Sequence, residues 1–215
     1  IRTPLNGIAG MLQLVQSERL SGTQRESVEM ALQSAQRLTG LLNDILDLSR
    51  VETGRMEVCE APFDLESVLH SIRELFRQTA REKGIALTAE RDGAVPPKLM
   101  GDSTRLTQIL FNLVGNAVKY TDRGAVELQV SRLEDDPSGT CLLQFTVRDT
   151  GRGIAEEERE RVFQMFRQGG EENSLYTRHH EGAGLGLPLV KRLVELMEGR
   201  VSLESEKGVG TTVTV

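Results

Sequence analysis

A chain of 215 residues is long for one average domain and short for two, so length alone leaves one or two folding units open. With 38% hydrophobic and 27% charged residues it carries enough apolar material for a core, which excludes wholesale disorder. Its net charge of −6, with basic residues scattered among acidic ones, presents no positive face and argues against nucleic acid or an anionic membrane as partner.

From Leu5 to about Glu18, apolar residues recur at helical spacing (Leu5, Ile8, Met11, Leu12, Val15), and the stretch Glu18 to Gly22 interrupts them as a turn. A second run (Val28, Ala31, Ala35, Leu38, Leu42, Ile45) alternates by three and four, the seam of a coiled coil or bundle. Two such helices form an antiparallel hairpin, which buries little surface alone. The stripe is therefore expected to pair with a second copy in a dimeric four-helix bundle; packing against the chain's own second domain is the alternative. The helical pattern stops at Glu52-Thr53-Gly54, and Val58 to Pro62 read as a short extended linker. This places a hairpin domain over 1–55 and a second domain over 56–215.

Beyond the boundary the elements alternate in type. A helix is expected over 64–83, a strand over 85–90, and a helix over 103–120 capped by Asp102. Strands over 124–132 and 141–148 follow, joined as a hairpin by a loop of turn composition at 135–139. A short helix near 155–163, a polar glycine-containing stretch over 168–184, a helix over 186–198 and a strand pair over 200–206 and 211–215 complete the chain. Hairpin strands with helices in runs argue an α+β fold, helices layered on one face of a mixed sheet. No apolar run approaches the ~20 residues needed to span a bilayer, and the first residues do not resemble a signal peptide. Cys59 and Cys141 lie far apart without metal-ligand spacing and read as buried thiols.

Three segments each look like one wall of a nucleotide site. In Asn112-Leu113-Val114-Gly115-Asn116-Ala117-Val118-Lys119-Tyr120, the two asparagines are four apart, so both amides project from one helix face. An amide oxygen there can ligate Mg²⁺, an NH₂ can reach phosphate, and Lys119, three residues on, can offset phosphate charge. Two solvated asparagines on an amphipathic helix would leave the same pair of letters. The second segment, Asp149-Thr150-Gly151-Arg152-Gly153, follows a strand: a carboxylate at a strand end can accept from an adenine amino group, and glycines let backbone approach the base. Taken alone, it is equally an ordinary turn. The third, Gly182-Ala183-Gly184-Leu185-Gly186-Leu187, opens a helix whose free amides can cradle phosphate. Its GxGxG spacing, without a preceding parallel strand or a following Gly-Lys-Ser/Thr, disfavours both a dinucleotide fold and a P-loop.

The order of these segments resembles one family, the sensor histidine kinases, and its hybrid members most. Ile1-Arg2-Thr3-Pro4-Leu5-Asn6-Gly7 resembles the tail of the family's H box. The run 112–120 resembles its N box, 149–153 its G1 box, Phe163-Gln164-Met165-Phe166 its F box, and 182–187 its G2 box. The resemblance implies the Bergerat ATP-binding fold, a homodimer through the hairpin, ATP and Mg²⁺ as ligands, and a response-regulator receiver domain, or another sensor kinase, as partner. It implies Asn116 as the Mg²⁺ ligand, Asn112, Lys119 and Tyr120 along the phosphates, and Asp149, Gly151 and Gly153 at the base. Phe166, Gly182, Gly184, Leu185 and Gly186 would form the lid region, and Thr3 would orient water in a phosphatase reaction. It further implies the cytoplasmic portion of an inner-membrane-anchored bacterial sensor, with the phosphoacceptor histidine two residues before Ile1.

Some positions depart from the family pattern. Ala183 stands for the usual threonine, Met165 for a proline and Pro188 for an alanine, and Thr177 to Glu181 is an unusual lid ending. Of the three histidines, His70 falls in a helix of the second domain and His179-His180 in the lid, where adjacent imidazoles without a fourth ligand give only a weak zinc pattern. Two functions stay open: an ATP:protein-histidine phosphotransferase, or an interaction module with a weak or silent ATP site. A hydrolase of the gyrase, Hsp90 and MutL type would place a glutamate base at position 112, where asparagine stands.

Overall fold

The computed structural model describes residues 2–18, 20–133, 141–164 and 184–215, and divides into two compact units, 1–55 and 56–215. In the first unit, α1 (Arg2–Gln16) packs on α2 (Gly22–Glu52). Ser21 starts α2 with a capping box: its hydroxyl accepts from the Gln24 amide while the Gln24 side chain accepts from the Ser21 amide. Leu5, Ala35 and Leu48 are buried, but most of the apolar stripe is not: Met11 is 71%, Leu14 70% and Met30 64% exposed.

The second unit opens with β1 (Ala61–Asp64), so the expected linker ends earlier than its sequence suggests, and Ala61 and Pro62 belong to a strand. Then come α3 (Leu65–Lys83), β2 (Ala86–Arg91), β3 (Lys98–Gly101) and α4 (Ser103–Tyr120). The strands β4 (Ala125–Arg132) and β5 (Leu143–Asp149) form the expected antiparallel pair. The expected helix near 155–163 breaks at Glu160 into α5 (Glu156–Arg159) and a 3₁₀ turn (Arg161–Phe163); α6 (Gly186–Leu196), β6 (Ser202–Glu206) and β7 (Gly210–Thr214) follow. Strands β1 and β3 form a small antiparallel ribbon. The main sheet has order β2-β4-β5-β7-β6, antiparallel except for the β2–β4 pair.

One face of the main sheet carries the core. Along β4, Val126, Leu128 and Val130 are buried while Glu127 and Gln129 are exposed, the period-two signature of a sheet with one covered face. Helices α3, α4 and α6 cover it through Leu69 and Ile72, Leu110, Leu113 and Val114, and Leu189, Val190 and Leu193. Each such side chain contributes roughly 1.5–3 kcal/mol by leaving water. The expectation of buried thiols fails, since Cys59 is exposed and Cys141 only half-buried. No helix among the described residues is long and apolar enough to cross a membrane.

Candidate active site

Helix α4 is the shared wall of the site, and Asp102 fixes where it starts. One carboxylate oxygen accepts from the amides of Thr104 and Arg105, both at 3.0 Å, and the other accepts from the Cys59 amide at 2.9 Å. Burial pushes this carboxyl up, but the amides of Cys59, Arg105 and Thr104 and the Arg105 charge more than offset that, leaving it below the ordinary carboxylate value.

Partway along α4, Asn112 and Asn116 meet the first residue of α6. A Cβ built on Gly186 would lie 2.8 Å from Asn112 Oδ1 and 3.8 Å from Asn116 Nδ2, so a side chain here would force Asn112 or the α6 start to shift. Asn112 donates to the Gln108 carbonyl at 2.9 Å, which turns its oxygen toward Gly186. Asn116 is half-buried and has no hydrogen-bond partner among the described residues. The α6 start has no side-chain cap and no acidic residue in its first turn. Gly184, just before it, holds φ +68, and Leu185 is buried.

The far end of the same face of α4 meets the loop after β5. Lys119 Nζ donates to Tyr120 Oη at 3.1 Å, and Lys119 and Arg152 lie 4.7 and 4.6 Å from the Tyr120 ring centre. The Arg152 amide donates to the Tyr120 carbonyl at 3.3 Å. A Cβ on Gly151 would collide with that same carbonyl, and one on Gly153, at φ +63, with the Glu206 carbonyl. From the other side the β6–β7 hairpin holds the loop: Gly208 N–H donates to Arg152 O at 2.7 Å, and Ile154 N–H to Ser205 Oγ at 2.8 Å. Asp149 is thereby fixed at the strand end, accepting from the Gly151 amide at 2.8 Å and from Thr211. Burial raises its carboxyl above the ordinary value, and those two amides only partly oppose the shift.

Asn112, Asn116, Lys119 and Tyr120 thus line one helix face, with the α6 start at one end and the Asp149 loop at the other. Tyr120 lies eight residues beyond Asn112, about 12 Å along the axis. The family pattern described as "Histidine kinase-, DNA gyrase B-, and HSP90-like ATPase" matches residues 101–215, and that of the "His Kinase A (phospho-acceptor) domain" matches residues 1–54. The chain belongs to the sensor histidine kinase family.

Relatives of this chain include two bacterial signalling kinases. The autoinducer 2 sensor kinase/phosphatase LuxQ of Vibrio cholerae is 37% identical over 211 residues, covering 98% of this chain and 24% of LuxQ. The signal transduction histidine-protein kinase BarA of Escherichia coli K12 is 38% identical over 213 residues, covering 99% of this chain and 23% of BarA. The chain therefore spans about a quarter of the length of these relatives. The crystal structure of full-length ShkA in complex with AMPPNP superposes with a TM-score of 0.78 at 37% identity, covering 99% of this chain and 42% of that one. In this family member Thr3 is exposed in the first turn of α1, within the separate hairpin unit. Phe166 and Gly182, like Met165, Ala183, His179, His180 and Glu181, lie outside the described residues.

Sequence reasoning missed Thr211, Gly210 and Ser205, which brace Asp149 and its loop. It quoted Arg152 only as a letter between glycines. No local pattern marks these residues, because their contact with the loop arises from β5–β7 pairing, which sets Asp149 opposite Thr211.

Proposed function

We propose that this chain is the catalytic core of an ATP:protein-histidine kinase, working in two-component signalling as a homodimer through the α1–α2 hairpin. In this reading the second unit binds Mg·ATP, and the γ-phosphoryl passes to a histidine and on to an aspartate of a receiver domain. The observation that carries it is the convergence of Asn112 and Asn116 on Gly186 at one end of a helix face whose other end meets Asp149 and its loop.

The side chains present suit such a ligand. Asn116, an uncharged oxygen donor without a partner among the described residues, would hold Mg²⁺, which neutralises phosphate charge when bound. Lys119 would add positive charge along the phosphates, and the amides opening α6, between Gly184 and Leu187, would donate to their oxygens. Asp149 would accept from the adenine amino group, with Gly151 and Gly153 giving the base room to approach. Catalysis on this plan is positioning and charge neutralisation. An exposed Thr3 in the first turn of α1, with LuxQ named a kinase/phosphatase, supports a second activity: orienting water against a phosphorylated receiver. The reading assigns the chain to the cytoplasmic part of a membrane-anchored bacterial sensor.

Calorimetric titration of the chain with Mg·AMPPNP tests the nucleotide site. Dissociation in the micromolar range supports the kinase reading; affinity weaker than about millimolar favours an interaction module with a silent site.

A further inference from the structure

Every helix leaves its last four carbonyls without intrahelical donors, and buried ones must find partners elsewhere. Helix α3 solves this locally: it ends at Gly84 in the left-handed region, φ 66, whose amide bonds back to Ala80 and Arg81. Helix α4 ends on Thr121 in extended backbone, φ −100, with no glycine to turn the chain back. Its carbonyls are nevertheless all accounted for. Ala117 O accepts from Thr121 N–H, and Tyr120 O accepts from Arg152 N–H in the loop after β5. Val118 O and Lys119 O both accept from one group, Lys83 Nζ, at 2.8 and 2.9 Å, and Thr121 O accepts from the same ammonium at 3.1 Å.

We infer that Lys83 is a positioning residue for the nucleotide site, an ammonium clamp that sets the last turn of α4 and, through it, the Lys119 and Tyr120 side chains and the loop that carries Asp149. An ammonium has three N–H bonds and no acceptor, and here each has a carbonyl to receive it. Its charge also offsets the negative end of the α4 dipole, on the helix meant to lie along an anionic ligand. Because Lys83 is the last residue of α3 and Gly84 turns the chain at once into β2, the clamp is anchored to the core and not to a mobile segment. The Tyr120 carbonyl, which accepts from the Arg152 amide, is the one against which Gly151 packs, so a shift of this turn moves the Asp149 loop.

The inference rests on the nucleotide reading above, and the experiment separates the two. The whole chain and its Lys83→Met, Lys83→Arg and Arg81→Met variants are titrated with Mg·AMPPNP, and amide hydrogen exchange is followed without ligand. Arg81 is exposed on the same helix and its side chain donates to nothing among the described residues, so its variant reports the loss of one α3 charge alone. The clamp requires affinity to fall about tenfold in Lys83→Met, to return within about threefold in Lys83→Arg, which keeps the charge and supplies N–H donors, and to stay unchanged in Arg81→Met. It also requires faster exchange in Lys83→Met at residues 118–122 and 150–153, with the β4 strand unaffected. Wild-type affinity in Lys83→Met, or an equal loss in Arg81→Met, overturns it. If the unmutated chain binds no nucleotide, the nucleotide reading fails by itself, and unchanged exchange at those two segments then overturns the clamp. Should Lys83→Met not fold, Lys83→Gln, with two donors for three carbonyls, is read by the same criteria.

Discussion

A methyl group at position 186 would sit 2.8 Å from Asn112 Oδ1, too close for any relaxed carbon–oxygen contact. Gly186→Ala therefore displaces either the Asn112 side chain or the α6 start; a loss of about 1–3 kcal/mol in stability and at least tenfold in Mg·AMPPNP affinity is expected, measured by thermal melting and calorimetry. Asp149 separates the two quantities. Its carboxyl is held above the ordinary value by burial, so the folded state favours the protonated form: the stabilising contribution is full below the ordinary value of 3.8 and is lost as pH rises through the folded one. At neutral pH the ion is a cost to folding. Asp149→Asn should melt higher than the unmutated chain at pH 7, with the gap closing toward pH 4, while binding Mg·AMPPNP at least about tenfold more weakly. A variant that gained no stability, or kept full affinity, would contradict the role given to this carboxylate.

At the scale of elements, α4 was the most legible part of the chain, and the reason is physical. Its apolar period, its Asp102 cap and its asparagine spacing are all local, and its bounds, 103–120, agree with the sequence reading. The small ribbon of β1 and β3 was not legible: four-residue strands of mixed polarity carry too few alternations to register, and their pairing spans more than thirty residues. The carboxylate of Asp102 shows the same limit, since its bonds to Thr104 and Arg105 follow from position while its bond to Cys59, 43 residues away, needs the fold. Asp102→Ala removes three acceptor contacts, and a loss of about 2 kcal/mol is expected from denaturant titration at pH 7. Because this carboxyl lies below its ordinary value when folded, its contribution is present above the ordinary 3.8 and disappears as pH falls through the lowered value; the variant should thus be less sensitive to acid than the unmutated chain.

For the molecule as a whole, the hairpin unit is the part that does not close on itself. Ile8, Met11, Leu14, Val15, Met30 and Leu38 stay exposed along a unit of 55 residues, more apolar surface than a monomeric domain of that size ordinarily leaves in water. A second copy laid against this stripe would complete a four-helix bundle, as the sequence reading expects. Met11→Glu combined with Leu38→Glu should convert the chain from dimer to monomer in light scattering, with Mg·AMPPNP affinity retained, since the site lies wholly within residues 56–215. Dimers persisting in that variant would place self-association elsewhere.

The chain contains no tryptophan and two tyrosines, Tyr120 and Tyr176. The ring of Tyr120 has Lys119 at 4.7 Å and Arg152 at 4.6 Å from its centre, at the end of the helix face that the triphosphate is meant to follow. Anions arriving there compete for the same positive charges, so the ring's ultraviolet emission becomes an unlabelled gauge of occupancy. With Tyr176→Phe to silence the second fluorophore, a stopped-flow trace would time ligand arrival without any dye attached.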